Sequence, residues 1–209
     1  TASVMSAPAA LVIAKIIYPE TKISNNIGKN KFDFKSTSSN AIEALSNGAL
    51  DGLKLAGNIA AMLIAFISII ALIDYSIEFF TTLIGFENIS LDEILGIIFR
   101  PLAWSMGIPW NESLLAGTLM GKKIVFTELI AYADLKKVLT INEISERTAI
   151  ICSYALCGFA NFGSIGIQLG GIGALAPNRK KDLAEIVFKA MIGGALASWL
   201  TATIAGILI

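Results

Sequence analysis

No histidine occurs among the 209 residues, so the commonest metal ligand and the commonest general base near neutral pH are both missing. Cysteine is nearly absent. Cys152 and Cys157 stand five apart in an apolar run, without zinc-type spacing or a secreted disulfide framework, and they read as ordinary buried small residues. Charge is scarce too. Only 15% of residues are charged and the net charge is zero, against about 25% charged in an ordinary soluble domain. That leaves no basic footprint for nucleic acid. The sequence holds no GxxxxGK[ST] loop, no closely spaced carboxylate pair with an activated nucleophile and no metal cluster, which points away from enzyme chemistry and from ATP-driven pumping.

What the chain does have is apolar length: 55% of it is hydrophobic. Residues 1–19 read as a transmembrane helix that exits at Tyr18-Pro19-Glu20, although the run is short for a span of about 20 residues. Residues 20–40 are a polar loop. Asn40 with Glu43 forms a capping box that opens an amphipathic interfacial helix over 40–54, with Ile42, Leu45, Leu50 and Leu53 against Glu43, Asn47 and Asp51. A transmembrane helix follows over 55–80, uncharged from 55 to 73. Ser90 with Glu93 is a second capping box, starting an interfacial or bent helix over 90–110 around Arg100-Pro101.

Over 112–135, short apolar runs interrupted by glycine and lysine predict a re-entrant hairpin whose halves meet at 121–123. Thr140 with Glu143 is a third capping box, leading to a broken transmembrane helix over 143–176. The final transmembrane helix, 184–209, is rich in small residues that permit close packing. The basic loop at 178–181 and the loop over 20–54 read as cytoplasmic, an orientation that Lys136 and Lys137 fit poorly. The chain opens on Thr1 inside an apolar segment and reads as part of something longer.

The most informative stretch is YALCGFANFGSIGIQLGGIGALAP. Glycines at 158, 163, 166, 170, 171 and 173 would each weaken a helix by about 1 kcal/mol relative to alanine. Asn161, Ser164 and Gln168 put polar groups at bilayer depth, where they are costly unless used or satisfied. An unwound membrane helix with freed backbone is a common way to build a solute site. Asn161 and Ser164 are three apart and share a face, and together they offer donors and acceptors suited to a polyhydroxylated solute. The other reading is that they hydrogen-bond between helices as glue. Phe159 adds a flat apolar face, Phe162 reads as packing, and Gln168 fits either glue or site.

Glu128 is the sharpest single position, a carboxylate inside FTELI. It reads as an acceptor for solute hydroxyls or a cation ligand, or else as the partner of Lys122 or Lys123 in a neutralising ion pair. The two lysines themselves read as snorkelling to the interface.

TASVMSAPAALVIAKIIYPET, GLKLAGNIAAMLIAFISIIALI, LGIIFRPLAWSMGIPW and GFANFGSIGIQLGGIGALAPNRKKDLA together resemble, in that order, the C-terminal half of the concentrative nucleoside transporter family. The resemblance implies an all-α integral membrane protein, a partial chain of inverted-repeat transporter architecture with a re-entrant hairpin and a broken transmembrane helix. It implies a homotrimer, multi-pass in the plasma (inner) membrane, that couples nucleoside uptake to Na+ or H+ symport and holds no other cofactor. By the same resemblance Glu128 matches the second-hairpin glutamate that binds ribose hydroxyls, Asn161 and Ser164 match the ribose-contacting pair, and Phe159 matches the aromatic of the pocket.

One departure is Thr127, where the family's hairpin (Gly-Thr-Lys-x-x-x-Asn-Glu-Phe-Val-Ala-Tyr) carries Asn; Thr127 and Gln168 are therefore secondary candidates for substrate binding. The family's first hairpin, with its Gly-Gln-Thr-Glu stretch, and the broken helix that helps hold the cation have no counterpart here. The expectation is that they precede Thr1, that residues 1–209 carry the ribose-binding half of the site without the main ion site, and that they alone would not accumulate nucleosides. The rival functions are symport of another polar solute and a membrane interaction subunit that does not transport.

Overall fold

Proline cannot continue a helix and disfavours helical backbone in the residue before it. The first apolar run accordingly stops short of Pro19: in the computed structural model α1 is Ala2–Ile17, with Tyr18 already at φ −132°. The structure describes residues 1–21, 39–85, 89–141 and 143–209. Most of the polar loop expected over 20–40 therefore lies outside the described residues.

From Asn40 to Leu83 there is no proline, and a nucleated helix there meets no stop signal. The result is α2 (Ala41–Leu83), one helix of 43 residues whose first turn is capped by Asn40 Oδ1 accepting from Glu43 N–H at 2.9 Å. The expected division into an interfacial helix at 40–54 and a transmembrane helix at 55–80 is corrected. The glycines at 48, 52 and 57 face open space and do not interrupt it. At 1.5 Å per residue the rod is about 65 Å long, roughly twice the hydrocarbon thickness of a bilayer. At its far end the Asp74 carboxylate accepts from Leu91 N–H at 2.7 Å, tying α2 to the start of α3 (Leu91–Ser105).

α3 contains Pro101 without ending at it, and packs along α4 (Trp110–Val125) in the most extensive helix contact of the molecule. The connecting turn uses Gly107 at φ +98°, a conformation that favours glycine. Three glycines set the approach of the pair. A Cβ on Gly96 would come within 2.5 Å of Thr118 Oγ1, one on Gly121 within 2.5 Å of Asp92 O, and one on Gly117 would collide with Gly96 O. Backbone cannot yield as a flexible side chain can. Gly117→Val is expected to cost about 1–3 kcal/mol and to lower the unfolding temperature in detergent by about 3–10 °C. An unchanged transition would mean that the two helices are not held at this distance.

α4 and α5 (Glu128–Thr140) form the hairpin expected over 112–135, but its halves meet at Phe126 and Thr127 rather than at 121–123. Gly121 stays helical because its missing Cβ serves the α3 contact. Thr127 breaks the chain instead, by taking extended backbone (φ −151°, ψ 158°) and capping α5 through its hydroxyl. Lys122 donates to Asp134 at 2.6 Å, with Asp92 at 3.9 Å, and Lys137 reaches Asp134 at 2.7 Å, so charged groups pin α3, α4 and α5 together.

Thr140 is the last residue of α5 and bonds Lys136 O, so the capping box expected at Thr140 does not start the next helix. Ser145 does. It caps α6 (Glu146–Leu156) and is itself held by the Glu112 carboxylate at 2.9 Å from its hydroxyl. After a break, α7 (Phe162–Leu175) runs to a single 3-10 turn at Pro177–Arg179, and α8 (Lys180–Leu208) closes the chain.

The main apolar core lies among α3, α4, α5, α6 and α8, and a smaller one of Ile165, Val187 and Met191 lies between α7 and α8. Among the described residues two helices are long and apolar enough to cross a membrane, α2 and the helix that ends at Leu208; α1 and α7 are shorter apolar helices.

Candidate functional site at the helix break

The expected break in the 143–176 span is present at residues 157–161, between α6 and α7. Of its six glycines only Gly158 serves the break, at φ +124°. The others are helical. Gly163, Gly166 and Gly170 form a face on which a Cβ would come within 3.2 Å of α2 side chains at Leu63, Phe66 and Met62. Their purpose is close packing of α7 on α2 rather than loosening of α7.

Asn161 is the N-cap of α7. It is fully buried, its Oδ1 accepts from Ser164 N–H at 2.8 Å, and its Nδ2 donates to Glu128 Oε2 at 3.3 Å. Glu128, half-buried as the first residue of α5, is therefore brought to the break by the hairpin turn. Two helix N-termini, those of α5 and α7, thus meet at one carboxylate. Each contributes unpaired N–H groups and a positive dipole end that favours anionic or hydroxyl oxygen nearby.

The Ser164 hydroxyl is used differently from the expectation. It donates to Asn161 O at 2.6 Å and receives Asn161 N–H at 3.3 Å, closing a reciprocal capping box. Its first task is to hold the Asn161 backbone. Phe159 is exposed in the break with 49% of its surface free, while Phe162 packs against both apolar cores. Thr127 caps α5 next to Glu128, its Oγ1 taking Ile130 N–H at 3.5 Å. Gln168 is half-buried along α7, away from the cap. The structure therefore brings Glu128, Asn161 and Ser164 together, leaves Phe159 beside them and sets Gln168 apart along the helix.

Among the described residues the ion pair considered between Glu128 and the neighbouring lysines does not form, since Lys122 goes to Asp134. Lys123 does not snorkel. It is fully buried and donates to Ala155 O at 2.9 Å and to Ser198 Oγ at 2.6 Å. The sequence reading missed its place at the site.

A half-buried carboxylate held by one amide keeps acceptor capacity for the hydroxyls of a polyol, and a carboxylate bonds vicinal hydroxyls more strongly than a neutral oxygen does. The arrangement leaves a half-buried carboxylate with an exposed aromatic ring, Phe159, at its edge.

Residues 1–206 match the family model described as "Na+ dependent nucleoside transporter C-terminus". Among curated relatives, the uncharacterized transporter YutK of Bacillus subtilis is 44% identical, the nucleoside permease NupC of Helicobacter pylori 40%, and solute carrier family 28 member 3 of Homo sapiens 39%. Each match covers 100% of this chain, and the chain spans 51%, 50% and 32% of those proteins respectively. Among solved structures, a CNTnw variant in an outward-facing state gives a TM-score of 0.87 at 38% identity, over 99% of this chain and 49% of that one. CNTnw in an inward-facing substrate-bound state gives 0.73 at 39% identity, over 99% and 48%. These relatives are membrane transporters rather than enzymes, and their fold is all-α like that seen here. This chain belongs to the family of Na+-dependent nucleoside transporters, as a match to its C-terminal part.

Proposed function

We propose that this chain forms the ribose-binding half of the solute site in a nucleoside:cation symporter. The carrying observation is the Asn161 Nδ2 to Glu128 Oε2 contact at 3.3 Å, which joins the hairpin turn to the broken helix at one half-buried carboxylate. Glu128 accepts from the ribose diol, Asn161 orients the carboxylate, Ser164 fixes Asn161, and Phe159 covers the apolar face of the nucleoside. Thr127 and Gln168 act at the margin. Thr127 keeps α5 capped and Gln168 reaches solute only if the pocket extends along α7.

Sodium is the coupling ion that the family description names, and no residue of this chain is assigned to hold it. The same reading makes the working protein a multi-pass homotrimer of the plasma (inner) membrane. A site between two elements that meet at a turn and a break suits alternating access, because either element can move against the other around bound solute.

The test is uptake of labelled uridine by the complete protein in proteoliposomes, with and without an inward sodium gradient, challenged by unlabelled uridine and by ribose. Gradient-dependent uptake blocked by uridine and not by ribose is the expected result. Equal inhibition by ribose would make the solute a sugar, and uptake indifferent to the gradient would remove symport.

A further inference from the structure

Lys123 is a charge with no exposed surface, placed on α4 two residues before that helix ends. Its two hydrogen-bond partners are neutral. One is the carbonyl of Ala155, in the last turn of α6 directly before the break; the other is the Ser198 hydroxyl on α8. Burying an ammonium among neutral acceptors is expensive, and few positions in a membrane protein carry one without a use. The last turn of a helix is the favourable place for it, since unpaired carbonyls and the negative dipole end converge there.

The partners on α8 also form the floor under the break. Ser198 Cβ is 3.7 Å from where a Cβ on Gly158 would stand, and a Cβ on Gly194 would meet Ala160 Cβ at 3.3 Å. Ser198 is held in turn, its hydroxyl donating to Ala195 O at 2.8 Å. One ammonium thus links the hairpin arm that leads to Glu128, the helix end that leads to Phe159 and Asn161, and the surface on which residues 158–160 rest. Among the described residues no other hairpin side chain hydrogen-bonds to both α6 and α8.

We propose that Lys123 is a positioning residue for the solute site: its ammonium locks the α6 end and α8 to the hairpin so that Asn161 stays within reach of Glu128. This rests on the ribose-site reading above and adds to it a residue that never touches solute. Without the ammonium, the Ala155 carbonyl and Ser198 hydroxyl lose their shared partner, the break drifts over α8, and the Glu128 to Asn161 contact loosens. Solute affinity should therefore fall more than the amount of folded protein.

The test uses the complete protein with Lys123→Met, which keeps chain length and removes the charge, and with Ser198→Ala, which removes one of the two acceptors and leaves Lys123 in place. Uridine uptake in proteoliposomes is measured as KM and Vmax per reconstituted molecule, together with the alkylation rate of the half-buried Cys157 in the break by N-ethylmaleimide; Cys152 is buried. Expected are a KM raised about tenfold or more in Lys123→Met and about 2–5-fold in Ser198→Ala. Cys157 alkylation should rise about threefold or more in both as the break opens locally.

A KM and an alkylation rate within about twofold of native in Ser198→Ala, with Lys123→Met either the same or lost from the membrane, overturn the proposal and reduce Lys123 to packing. If the native protein takes up no uridine, the ribose-site reading fails by itself. The Cys157 rate, which needs no solute, still decides whether Lys123 holds the break.

Discussion

Replacing Glu128 with Gln is expected to reduce uridine uptake at low concentration by about 10–100-fold, with the amount of protein in the membrane unchanged. Gln is nearly isosteric, so the loss measures charge and acceptor count rather than shape. The native carboxylate presents only acceptors, one of which takes Asn161 Nδ2–H at 3.3 Å. In the variant, one end becomes an NH2 donor. If the amide oxygen turns to Asn161, the NH2 faces the solute, and a donor then stands opposite a diol that was itself donating both protons. If it turns the other way, two NH2 groups oppose each other. Hydrogen bonds to a charged group contribute about 1.5–3 kcal/mol, which corresponds to the stated factor in affinity. The loss should appear mainly as a raised KM. Uptake within about twofold of native, with intact oligomers, would return Glu128 and Asn161 to interhelical glue and favour an interaction subunit.

Local signals were legible where the chemistry is local. An Asn followed three residues later by a side chain that can return the bond marks a helix start; Asn161 with Ser164 forms that motif in the structure, although the sequence suggested a solute-contacting pair or interhelical glue. The same rule found Asn40 with Glu43. It failed at Thr140, because Ser145, held from outside by Glu112, made the stronger cap. Glycine was the least readable signal. The sequence reading took Gly121 as the hairpin turn and six glycines as a loosened span. In the structure Gly121 admits Asp92 O, Gly163 and Gly166 admit α2 side chains, and of these seven glycines only Gly158 takes a positive φ. A missing Cβ serves a sharp turn and a close helix crossing equally well, and only the tertiary partner tells them apart. The buried Lys123 was hidden for a similar reason: its acceptors lie 32 and 75 residues away.

Asn161 allows the site and the cap to be separated, since alanine and aspartate each remove something different. Asn161→Ala removes the bond to Ser164 N–H, a loss of about 1 kcal/mol for an N-cap, and also the donor to Glu128. Both stability and uptake should fall, uptake by about 10–100-fold. Asn161→Asp keeps the cap, because aspartate accepts from Ser164 N–H as well as asparagine does. The α7 cap itself should therefore survive the substitution. Toward the hairpin, though, the change inverts the interaction: a donor to the Glu128 carboxylate becomes a second carboxylate in a position with no exposed surface. Like charges at hydrogen-bonding distance repel, so Glu128 must move away or give up its charge, and either response removes the acceptor the ribose diol requires. Uptake in Asn161→Asp is thus expected to fall at least as far as in Asn161→Ala, in a protein that keeps the α7 cap. Near-native uptake in the aspartate variant would show that Asn161 serves as a cap alone, and that the 3.3 Å contact with Glu128 carries no solute recognition.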